Sequence, residues 1–254
     1  MPYFSKDVIA DLHLGRERGH QQYADLMQRY IQRDYTTDLA REHAQHGFAR
    51  RLGCLVHAID MVYTALPPEQ DDIPGRDKTL DATIAIQSFV SNVFGCLDNL
   101  AWIYVSEKNV RNRDGTSLVL SQITLGSEPV RASFTDEFRA YLDRRKRWFT
   151  AMKKFRDSLA HRIPLYIPPF TILPENQGRY NALEQEANEA QKRRDFDEYD
   201  RLRAEQREIG KFRPWIAHSL YEKEARPIVF HPQLIADYNT VDEFGRKMLD
   251  ELDR

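Results

Sequence analysis

Three stretches of this chain, each about thirty residues long, repeat their apolar side chains every three or four positions, which commits them to long amphipathic helices. In 36–66 the stripe is Phe48, Leu52, Leu55, Val56, Ile59, Val62, Tyr63 and Leu66, and Pro67-Pro68 stops it. In 79–108 it is wider (Ile86, Phe89, Val93, Leu97, Leu100, Tyr104), as expected of a central helix. In 134–162 it runs through Phe138, Leu142, Phe149, Met152, Phe155 and Leu159. Pro164 ends it, because a residue before proline avoids helical backbone.

Beyond residue 163 the pattern changes. Segment 166–173 contains prolines and β-formers, and 214–220 and 227–231 read as short strand candidates. The very polar 175–209 has only Tyr180, Leu183, Phe196, Tyr199 and Leu202 to bury, so it is expected to project or form a hairpin. A closing helix, 232–252, turns Leu234, Tyr238, Val241, Phe244 and Met248 inward. The expected fold is mainly α: a long-helix bundle with a small β-containing C-terminal elaboration. Its expected divisions are an N-terminal helical arm (1–35), the bundle (36–163), and strands, polar helix and closing helix packed upon it (164–254).

Composition excludes several classes of function. The apolar runs break well short of the roughly 20 residues of a membrane span, and no apolar leader opens the chain. A cytoplasmic protein is expected, with Cys54 and Cys96 as reduced core thiols. No GxxxxGK[ST], HExxH, CxxC or GxSxG motif occurs. His43 and His46 lack the further ligands that a metal needs, so no metal or cofactor is expected. Net charge is −2, so any polyanion site must be local. One segment provides it: from Arg139 to Arg162 nine Lys/Arg face two Asp, a surplus of +7. Such a stripe can follow a phosphate backbone, although its Trp148 is expected to pack rather than stack on a base.

The third helix ends Phe155-Arg156-Asp157-Ser158-Leu159-Ala160-His161-Arg162-Ile163-Pro164. Arginine followed by histidine at such spacing is common here: 27 Arg and eight His yield six pairs, against about 2.5 expected by chance. Position separates them. Arg213 and Arg226 precede prolines, Arg41 precedes Glu42, and Arg50, Arg51 and His57 straddle the first apolar stripe. Only Arg156 and His161 stand at the basic end of a long helix, with Asp after the Arg. There His161 meets the negative end of the helix dipole. Asp157, one turn before it, is placed to orient its ring, and Lys153 shares that face. Arg156 would hold phosphate with its fork of donors, and His161 would move a proton. Five residues place them about 140° apart, so a site shared by two subunits is easier than one within a chain.

This helix end resembles the R-x4–6-H signature of HEPN domains, in which a polar residue often follows the Arg. The Cys96-Leu97-Asp98-Asn99-Leu100-Ala101-Trp102 stretch is similar to the second helix of bacterial HEPN-like proteins. The resemblance covers about 40–163. It implies a homodimeric, metal-independent endoribonuclease that uses the ribose 2′-hydroxyl, acts as a toxin or defence component, and has RNA and an antitoxin or other protein as partners. Arg156, Asp157 and His161 would be catalytic. Arg145, Arg147, Lys153, Lys154 and Arg162 would contact RNA. Asp98 is expected to be a buried polar group satisfied by Arg156 or His161. The alternative is a catalytically silent module of the same fold that binds a protein partner or nucleotide, which 175–209 and the strand-bearing tail would suit.

Overall fold

A computed structural model describes residues 3–218 and 227–254. The chain is a mainly α bundle with a small two-stranded sheet. Helix α1 (Lys6–Gln32) begins at Ser5, whose side chain caps Val8 N–H, and buries Leu12, Leu26 and Tyr30 against α3 (Ala49–Ala65) and the closing helix α10 (Phe230–Leu252). The first apolar stripe becomes α2 (Asp38–Glu42), a π-helical turn (His43–Phe48) and α3 (Ala49–Ala65) in continuous succession. Helix α4 (Arg76–Glu107) lies centrally, against α3, the π turn and α10. Its length and hydropathy match a membrane span, yet half of that window is buried within the bundle.

The third stripe is not one helix. It divides into α6 (Asp136–Arg144) and α7 (Lys146–His161), preceded by the short α5 (Glu128–Ser133). At Arg145 the backbone N–H is shared between the Tyr141 and Leu142 carbonyls, which tightens the turn. The Arg145 guanidinium pairs with Glu243 of α10 (Phe230–Leu252) and lies over the Tyr141 ring at 5.5 Å. No glycine or proline marks the break, which falls where Tyr141, Arg145 and Trp148 meet Phe244, Glu243 and Asp237 of α10. Thr135 starts α6. Its hydroxyl accepts Phe138 N–H at 3.2 Å and donates to the buried Glu251 carboxylate at 2.7 Å, while its own N–H donates to Glu251 at 2.6 Å. Thr135→Ala should therefore cost about 1–2 kcal/mol, measured as a lower urea midpoint; an unchanged midpoint would count against this cap.

The closing helix sits deep in the bundle: Phe230, Tyr238, Val241, Phe244 and Met248 of α10 are buried against α1, α3 and α4. Segment 175–209 is a hairpin, as its thin stripe suggests: α8 (Gln177–Lys192) and α9 (Phe196–Ile209) enclose a small core of their own around Leu183, Ala187, Ala190 and Leu202. The strand candidates reduce to β1 (Trp215–Ile216) and β2 (Ile228–Val229), paired antiparallel, plus isolated bridges Tyr166 to Ala217 and Thr171 to Lys211. Residues 219 and 220 of one candidate lie outside the described residues. Cys96 is buried, but Cys54 is exposed, because it stands on the outer side of α3, so only one of the two thiols belongs to the core.

Candidate active site

Three residues on alternate sides of a helix reach the same region only if something bends one of them across. Phe155 and Ser158 are buried and seat α7 on α4, and the Ser158 hydroxyl donates to the Lys154 carbonyl at 2.9 Å. Just past the helix, the Gln87 amide of α4 donates to the Leu165 carbonyl at 2.7 Å and holds the exit of α7. With α7 so fixed, Arg156 crosses to α4. Its guanidinium carbon lies 4.8 Å from the centre of the Phe94 ring, and its Nη2 is 3.2 Å from the Asp157 carboxylate. Cation–π contact and ion pair together set its direction. The side chains remain 48% and 38% exposed, so the Arg156 fork stays open to a ligand.

His161 is the last residue of α7 and is exposed. The helix ends there because Arg162 turns to extended backbone, its N–H still bonded to the Ser158 carbonyl at 3.1 Å. Asp157 does not orient the His161 ring: its carboxylate turns to its neighbour Arg156 instead and accepts a charge-assisted hydrogen bond from it. Asp98 is not a buried group but an exposed one on α4. The packed surroundings raise its carboxyl above the ordinary carboxylate range, opposed by the positive charges of Arg156 and Arg51. It therefore lies in the field of Arg156, without an ion pair to it.

The basic stripe is less uniform than the sequence suggests. Arg145 is committed to Glu243, and Arg131 and Arg139 pair with Asp143 and Asp136. Arg147 and Lys153 present exposed side chains on α7; Lys154 and, just past the helix, Arg162 are exposed as well, each with an interaction of its own. Lys146 and Lys153 border a cleft of about 530 Å³ floored by Leu125, Leu142 and Phe149. Trp148 is packed, as expected: its indole N–H donates to buried Asp237 at 2.7 Å and its ring meets Phe149 and Phe244. Among the described residues, no cluster of His, Cys, Asp and Glu is arranged to hold a metal.

A second polar cluster, which the sequence does not announce, lies on the neighbouring side of α4. Arg51 of α3 donates from Nε to the Asn99 amide oxygen and from Nη1 to that of Asn92, each at 3.1 Å. The Asn99 amide nitrogen lies 3.0 Å from His43 Nδ1, and the His43 ring stacks flat on Trp102, 4.9 Å between centres and 3° between planes. Asn99 gives its oxygen to a pure donor, so its nitrogen must donate to His43, which fixes that imidazole as neutral with the proton on Nε2. Burial also lowers the His43 pKa, against the pull of Glu42. The only sequence signals are glycines within helices and asparagines seven apart. A Cβ on Gly95 would lie 2.3 Å from the Arg51 guanidinium carbon, and one on Gly47 would lie 2.4 Å from the Asn99 nitrogen. Comparison of the chain with protein-family models, with curated proteins and with solved structures returned no match.

Proposed function

We propose that this protein is a metal-independent endoribonuclease of the HEPN type, acting as a homodimer in a toxin or defence role. The observation that carries the reading is the exposure of Arg156 and His161 on the last turns of α7, with Arg156 aimed by Phe94 and Asp157. In the proposed reaction His161 removes the proton from the ribose 2′-hydroxyl. The 2′-oxygen bonds to phosphorus and the bond from phosphorus to the 5′-oxygen breaks, leaving a cyclic phosphate. The departing oxygen takes a proton from the general acid, for which the His161 of a second copy is available. Arg156 holds the non-bridging oxygens as charge builds on them. Exposed Arg147, Lys153, Lys154 and Arg162 supply attraction for the strand. The separation of Arg156 from His161 around the helix supports the dimeric form, in which each active site draws on two chains.

His161→Ala should slow cleavage of single-stranded RNA about a hundredfold, with RNA binding retained and an all-deoxy substrate resistant throughout. Equal cleavage by variant and parent would remove the assignment. A second reading, a catalytically silent module that binds a protein or nucleotide, is favoured by two features. Asp157 leaves His161 unoriented, and the α8–α9 hairpin carries Phe196 exposed at its turn. It predicts binding without cleavage in the parent protein.

A further inference from the structure

The Arg51 cluster has the features of a ligand site rather than of a structural tie. A half-buried guanidinium ordinarily meets a carboxylate, since desolvated charge is costly unless paired. Arg51 instead rests on two neutral amide oxygens and forms no ion pair with a described carboxylate. Two of its five N–H donors are used in these bonds, leaving three for a ligand. The guanidinium of Arg51, from α3, lies against the bare backbone of Gly95 on α4. Beside it, the bond from Asn99 fixes neutral His43, whose remaining proton on Nε2 is a further donor. The partly buried Trp102, packed against the core, backs that imidazole with its ring. A positive fork with an added donor beside it matches a phosphate. The cluster is also built around a π-helical turn, a distortion that recurs at functional sites.

Its position links it to the candidate active site. Arg156 lies over Phe94 and Arg51 over Gly95. Those residues are consecutive, so the two guanidiniums stand about 100° apart around α4, on either side of Asp98. The Asp98 carboxyl senses both. We propose that Arg51, with Asn92, Asn99 and His43, forms a second phosphate subsite that holds a single-stranded RNA one step along the chain from the phosphate at Arg156. This proposal rests on the ribonuclease reading for its ligand, but its test is one of binding and does not depend on cleavage.

The experiment measures binding of a short, labelled, single-stranded 2′-O-methyl RNA, which cannot be cut, by fluorescence anisotropy over a range of salt. Arg51→Gln should weaken binding about tenfold and reduce the slope of log K against log salt by about 0.7, the loss of one single-strand phosphate contact. Asn99→Asp keeps Arg51 and its hydrogen bond but fills the subsite with a fixed carboxylate; it should lose the same affinity and slope while folding like the parent. Parental affinity and slope in both variants would overturn the subsite, as would failure of the parent protein to bind the RNA. Failure of the catalytic reading is seen separately, as undiminished cleavage by His161→Ala.

Discussion

Phe244→Ala should remove about 3–5 kcal/mol of stability, the largest loss expected from any single truncation that bears on the candidate site. Phe244 is fully buried on α10, and its ring meets Tyr141 at 4.9 Å, Trp148 at 5.8 Å and Phe149 at 5.3 Å. Those partners stand on both sides of the break at Arg145, so one side chain anchors α6 and α7 together. Its loss opens a cavity that neighbouring rings, tied elsewhere, cannot fill; Trp148, for one, is held to Asp237. A typical domain has only 5–15 kcal/mol in total. The effect should be regional: amide exchange should quicken first in α6 and α7 and later in α4, with any ribonuclease activity falling alongside. Phe244→Leu, which keeps most of the volume, should lose less than half as much. A urea-derived loss below about 1 kcal/mol in Phe244→Ala would show that α7 is held by other contacts.

Asp237→Asn should stabilise the protein by about 3 kcal/mol at pH 8 and leave it nearly unchanged at pH 4. Asp237 is 4% exposed on α10, and its carboxylate accepts the Trp148 indole N–H and the Gln233 amide; among the described residues no cation pairs with it. Burial raises its pKa to about 6, only partly offset by those two donors. An aspartate in the unfolded chain titrates near 3.9. As pH rises through this interval the unfolded state loses its proton first, so folding is favoured at low pH and the advantage is lost by about pH 6. The difference is about a hundredfold in proton affinity, or about 3 kcal/mol. Asparagine keeps an oxygen for Trp148 and carries no charge.

His231 acts in the opposite sense over the same interval. It is fully buried; its Nε2 donates to the Leu66 carbonyl at 2.7 Å and its Nδ1 has no partner among the described residues. Burial lowers its pKa to about 4. The unfolded chain takes up a proton near pH 6.5 while the folded one stays neutral, so stability present above pH 6.5 is lost as pH falls through about 4. In the parent protein the two groups offset one another between about pH 4 and 6. Asp237→Asn removes one of them, so its melting temperature should exceed that of the parent by about 5–10 °C at pH 8 and then fall steeply with acid. A parallel shift at all pH values would show that Asp237 is not the titrating group.

Local chemistry alone made much of the architecture readable. The helical period of Ile86 to Tyr104 survives as α4, Pro67 and Pro164 stand beyond helix ends, and the sparse apolar residues of 175–209 could fill no more than a two-helix hairpin. Each of these depends on neighbours within a few residues. The break at Arg145 does not. No residue there forbids a helix, and the side chain at the break meets Glu243, nearly a hundred positions later. The same limit applies to the site.

Position along the chain singled out Arg156, Asp157 and His161 from other Arg–His pairs of equal spacing, and nothing finer than that was determined by the sequence itself. Tertiary packing decided that Arg156 lies on Phe94, that Asp157 serves Arg156 rather than His161, and that Asp98 stays exposed between two guanidiniums. It also turned Arg51, which in sequence merely straddles an apolar stripe, into the centre of a hydrogen-bonded cluster reached across two glycines. Periodicity is set by backbone geometry that every turn repeats and is therefore written locally. The partner of a long charged side chain is whatever charge, ring or gap the packed helices bring within a few ångströms, and that is known only once they have met.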